Sequence, residues 1–132
     1  MEKTKYFTVT TIDDIAKSMY QKLGSKLDLH KDQLIPTKTA LLILDMQEFF
    51  HNEYSHAFIP SAQALIEPIL TLANLFIYNN LPIITTKHIN TKVNAKQMDY
   101  WWRDILTEDS KFSQIITEFD LPKAELIIKP QY

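Results

Sequence analysis

Apolar and polar positions alternate along the chain in blocks that predict helices and strands in turn. Residues 1–10 are polar and read as extended or frayed. Thr11, with Asp14 three positions on, has the form of a capping box. Ile15, Met19 and Leu23 then recur every four residues, and Ala16 and Leu27 extend the stripe. This spacing predicts an amphipathic helix over residues 12–23, ended by Gly24. Residues 25–38 are polar and close on Ile35-Pro36-Thr37-Lys38, a connector. Thr39 to Leu44 is a continuous apolar run without two-residue alternation, stopped by Asp45. A short run of this kind suits a parallel strand buried on both faces. Leucine and alanine also favour helix, and the flanking chain argues for the strand. Residues 46–60 form a loop rich in aromatic and histidine side chains. Pro68 suits the first turn of a helix, whose stripe is Ile69, Leu70, Leu72, Ala73, Phe76 and Ile77 and whose end falls near Asn79-Asn80. Leu81 to Thr86 reads as a second strand, with Pro82 at its start, where a missing donor is tolerated. Gln97 to Leu106, containing Trp101-Trp102, reads as a short helix, and Glu125 to Ile128 as a third strand running into Lys129-Pro130. This order predicts an α/β fold with a parallel sheet and right-handed crossovers.

Composition narrows the function classes. The 132 residues suit one domain, and 45% of them are hydrophobic, enough for a packed core. Fourteen basic and 16 acidic residues give a net charge of −2, which argues against nucleic-acid binding driven by phosphate contacts. No run reaches the ~20 apolar residues that cross a bilayer, and the N-terminus lacks the apolar core of a secretory signal. A cytoplasmic location without membrane association is the expectation. Gly24 is the only glycine, so Gly-rich phosphate loops are excluded. There is no cysteine, which excludes disulfides, thiolate metal sites and a cysteine nucleophile within these residues.

In an open α/β sheet, ligands bind beyond the carboxyl ends of the strands. Those ends carry Asp45, then Lys87 and His88, then Lys129. Parallel strands would bring Asp45 and Lys129 to one edge, where a carboxylate beside an ammonium keeps both charged and either can exchange a proton. Charged residues at strand ends also simply mark where a strand meets water, and pattern alone leans to that account. Lys87 reads as solvated and His88 as a hydrogen-bonded structural histidine. Phe49, Phe50, Tyr54 and Phe58 line a cavity or pack beneath their loop. One of Trp101 and Trp102 faces the core and the other covers a pocket or a partner, because adjacent helical residues diverge by about 100°. His51, His56 and His88 raise a metal site, but their spacing lacks a tight ligand pair; neither a metal nor a cofactor is expected.

Four segments together resemble the isochorismatase-like cysteine hydrolases. Leu41-Leu42-Ile43-Leu44-Asp45-Met46-Gln47-Glu48-Phe49-Phe50 is similar to the first-strand signature of that family, and Pro82-Ile83-Ile84-Thr85-Thr86-Lys87-His88 to its second strand. Met98-Asp99-Tyr100-Trp101-Trp102-Arg103-Asp104 resembles a segment of its isochorismatase branch, and Ile127-Ile128-Lys129-Pro130-Gln131-Tyr132 its third strand with the active-site lysine. The resemblance covers residues 39–132 and implies a Rossmann-like parallel sheet with flanking helices. It divides the chain into an N-terminal helix and connector, 1–38, and the N-terminal half of a hydrolase domain, 39–132. It also implies an Asp–Lys–Cys triad acting on a small molecule, through amide or vinyl-ether hydrolysis. Asp45 matches the aspartate that takes the thiol proton and Lys129 the lysine that favours the thiolate. Phe50, His88 and Trp102 are expected to contact substrate. The family's cysteine lies downstream of its lysine, so the sheet is expected to be truncated after the third strand and the chain inactive alone. A complementary C-terminal chain or a homo-oligomer is the expected partner. A non-catalytic interaction or ligand-binding module is the alternative.

Overall fold

The structure, a computed structural model, describes residues 3–24, 35–97, 99–100 and 105–130. Its centre is a three-stranded parallel sheet in the order β1-β2-β3, built from Leu41–Leu44, Ile83–His88 and Ala124–Lys129. Around it run α1 (Ile12–Leu23), α2 (Glu48–His51), α3 (Ile66–Tyr78) and α4 (Lys92–Ala95). The strands are the three that the apolar runs predict, with shifted ends. β2 starts after Pro82, which has no N–H to give the ladder, and runs on through Lys87 and His88 because β3 pairs with it as far as Lys129.

Side chains alternate across a strand, and the two faces of this sheet differ. Ile43 and Ile83 are buried against α3, whose Ala73 is fully buried and whose Ile69, Leu70, Phe76 and Ile77 pack around it. Ile116 and Phe119, from the turns before β3, complete this core with Met46. Burying side chains of this size stabilises the fold by about 1.5–3 kcal/mol each. The opposite face is open. Leu42 is 53% exposed, Leu44 58% and Ile127 43%. The expectation that β1 is buried on both faces therefore fails on one of them, because among the described residues only one helical layer packs on the sheet.

α1 spans the predicted residues but buries none of its stripe; Met19 and Leu23 are exposed. Its start also differs. Thr11 does not cap with Asp14. Its hydroxyl accepts from the Thr8 N–H at 2.9 Å while Ile12 N–H donates to the Thr8 carbonyl, so the turn closes three residues earlier. The segment before it is tied down: Tyr6 and Phe7 N–H groups donate to Ser61 Oγ at 2.8 and 3.3 Å. α3 begins two residues before Pro68 and exposes Leu72, which the stripe had included.

The helix expected over 97–106 does not reach its predicted end. Asp99 and Tyr100 are helical, residues 98 and 101–104 lie outside the described residues, and Leu106 is irregular and buried, held by the Asn90 side chain at 2.9 Å. A short helix that the pattern did not suggest, α4, precedes it. It is fixed by a reciprocal cap between Thr91 and Asn94.

Candidate active site

Asp45 follows β1 directly and takes a positive φ of 53°, a left-handed conformation that a short polar side chain tolerates better than most. The turn aims its carboxylate across the ends of the strands. Two partners then divide the carboxylate. Thr86 Oγ1 donates to Oδ1 at 2.7 Å, and Lys129 Nζ donates to Oδ2 at 2.5 Å. Asp45 N–H is itself held by the Thr86 carbonyl at 3.1 Å and hydroxyl at 3.2 Å. The side chains of Lys129 and Asp45 are 29% and 17% exposed, so the ion pair is poorly screened but still open to solvent.

His88 lies beside this pair, across the ladder from Lys129. It is 2% exposed, and its pKa sits below the ordinary value. Burial is the main cause; the Asp45 charge opposes the shift and the Lys129 charge adds to it. The imidazole is therefore neutral at pH 7. Its backbone is clamped by Gln47, a fully buried residue. The Gln47 amide oxygen accepts from the His88 N–H at 2.7 Å, and the amide nitrogen donates to the carbonyls of His88 at 2.9 Å and Ser113 at 2.7 Å. One side chain thus locks the turn after β1, the end of β2 and the chain before β3 into a single frame.

Of the residues singled out from the sequence, the structure brings Asp45, Lys129 and His88 together. Phe50 stands half-buried on α2, with its ring edge-on to Phe49 at 5.2 Å between centroids. Trp102 lies outside the described residues. Thr86 and Gln47 were missed as site residues. Extending β2 by two positions would have put Thr86 and His88 on one face, pointing the same way as Lys129. Two clefts of about 340 Å3 each include neither Asp45 nor Lys129 in their lining. One lies on the α3 side of the sheet, at Thr85, Lys87 and Asp120. The pair instead sits at the rim of the open face. Among the described residues, no three His, Asp or Glu side chains gather as metal ligands would, and no helix is long and apolar enough to cross a membrane.

Neither the protein-family models nor the curated proteins contain a match to this sequence. Solved structures do. A cysteine hydrolase from Pseudomonas syringae pv. phaseolicola superposes with a TM-score of 0.65 at 18% identity, over 74% of this chain and 48% of its own. A pyrazinamidase of Pyrococcus horikoshii, solved in complex with zinc, gives 0.59 at 19%, over 70% and 52%. An N-carbamoylsarcosine amidase from Thermoplasma acidophilum gives 0.58 at 18%, over 68% and 50%. The fold is that of the isochorismatase-like cysteine hydrolases. At this identity the likeness is one of fold, and the chain spans about half the length of the structures it matches. The isochorismatase-like fold expected from the four sequence segments is thereby confirmed.

Proposed function

We propose that Asp45 and Lys129 are the proton-handling pair of a cysteine hydrolase centre whose thiol comes from outside residues 1–132. The observation that carries this is the 2.5 Å contact between two groups 84 positions apart, set at the strand ends where this class of sheet binds ligands. In that centre the Asp45 carboxylate takes the thiol proton, and the Lys129 ammonium lowers the thiol's pKa and stabilises the thiolate. The thiolate adds to the carbonyl of a small amide, the amine leaves with the proton from Asp45, and water releases the acyl group. A vinyl ether is the other substrate class that the family resemblance brings. Thr86 holds the carboxylate in register, and His88, neutral, offers a hydrogen bond to substrate. Phe50 and Trp102 supply apolar contact. The half-site needs a complementary chain, and without one it self-associates through its open face.

The test is an amidase assay of the 132-residue chain alone and mixed with a cysteine-bearing fragment of the same fold. The expected result is no turnover alone, turnover on mixing, and loss of that turnover in Asp45→Ala. Turnover by the cysteine-free chain, abolished by Asp45→Ala, would overturn the proposal. The absence of cysteine from these residues also favours a second account, a ligand-binding module without turnover; mixing that yields binding but no hydrolysis would select it.

A further inference from the structure

A second cleft is built from residues that the proposed centre does not use. It opens between α2, the start of α3 and the 116–118 turn, and its lining includes Glu48, His51, Glu53, Tyr54, Gln63 and Glu118. Three carboxylates face one space of about 340 Å3, and among the described residues no lysine or arginine enters the lining. Lys111 stands at the edge, its Nζ over the ring of Phe112 at 4.9 Å and that of Tyr54 at 6.0 Å from the centroids. A group of carboxylates alone would be ordinary solvated surface.

His51 sets this group apart. It is 7% exposed, and its Nδ1 is buried with no hydrogen-bond partner among the described residues. Buried polar atoms are nearly always paired, and one left over costs free energy until a partner reaches it. Burial holds the imidazole below its ordinary pKa even though Glu118 and Glu48 pull the other way, so the ring is neutral and keeps a lone pair.

We propose that this cleft binds the head of a primary alkylammonium, with Glu48 and Glu118 supplying the charge and His51 accepting one of its N–H bonds. An ammonium carries three donors and no acceptor, which complements carboxylates and a neutral imidazole. A divalent cation fits less well, since it needs ligands converging at bonding distance and no three here do so. A free amine and a lysine side chain of a peptide share this chemistry.

Titration of the full chain with propylamine, and separately with Nα-acetyl-lysine amide, followed through the histidine ring nitrogens by NMR, tests the proposal. Saturable shifts at His51 are expected, with binding about tenfold weaker in Glu118→Gln, as befits loss of a charge-assisted hydrogen bond. Glu53→Gln should weaken it in the same direction, and Glu125→Gln, on β3, should leave it unchanged. Tighter binding of the lysine amide identifies a protein lysine as the source, and tighter binding of propylamine a free amine; either supports the site. Failure of both probes to saturate, an equal response to 1-propanol, or undiminished affinity in a folded Glu118→Gln overturns it. None of these outcomes depends on the Asp45–Lys129 pair.

Discussion

Replacing Gln47 with leucine tests whether the frame around the strand ends is held by a single amide. The substitution keeps the volume roughly constant and removes three hydrogen bonds of 2.7–2.9 Å. It leaves the His88 N–H and the carbonyls of His88 and Ser113 in a site where Gln47 itself has no exposure. An unsatisfied buried group costs about 1–3 kcal/mol. Three of them, offset in part by the added apolar burial of leucine, give an expected loss of about 3–5 kcal/mol. That is a large share of the ~5–15 kcal/mol that holds a domain together. Urea unfolding followed by far-ultraviolet circular dichroism measures it, with the midpoint moving and the slope unchanged. Gln63→Leu is the comparison. That exposed amide makes a 3.2 Å bond to the His51 carbonyl, and its loss should cost under ~0.5 kcal/mol. A Gln47→Leu protein within about 1 kcal/mol of the parent would show that solvent or local rearrangement satisfies the three groups, and the clamp would not be the origin of the frame.

Two further outcomes follow from burial. His51 and His88 both have depressed pKa values in the folded state. As pH falls below the ordinary value near 6.5, the unfolded chain therefore takes up protons first, and the stability present above that pH is lost. The urea midpoint should drop between pH 7 and pH 5, less steeply in His51→Gln; an identical profile in that variant would refute a neutral buried His51. The open face and the outer edge of β1 predict association, since an apolar edge strand recruits other strands. Light scattering should report species above the 15.5 kDa of the monomer, reduced by Leu44→Lys, and a monodisperse parent would refute it.

The strands were legible because short apolar runs bounded by Pro82, Asp45 and Pro130 leave little choice of element. Their carboxyl-end charges were legible as candidates because parallel strands must end together. The distribution of burial was less so. A four-residue apolar strand looks the same whether one or two layers cover it, so the exposure of Leu42 and Leu44 is a tertiary fact with no local signal. α1 shows the same limit, since a stripe can be read but not the surface that would meet it. Gln47 was unreadable for another reason. Its partners lie 41 and 66 positions away, and nothing about a glutamine after a strand announces them. Thr86 could have been found: two-residue periodicity puts it on the face of His88, and parallel pairing of its strand end with Leu44 sets it beside Asp45.

The bond between Asp45 and Lys129 also constrains when the site can exist. Both ladders are parallel, and every strand contact spans a long loop of chain, the topology that folds slowly because closure entropy is spent before contacts return it. β1 and β2 can pair, and Thr86 can take hold of Asp45, before β3 has been synthesised. The ammonium arrives only with β3. During synthesis the carboxylate therefore passes through an interval in which threonine alone holds it, and the arrival of the lysine with β3 closes the ion pair.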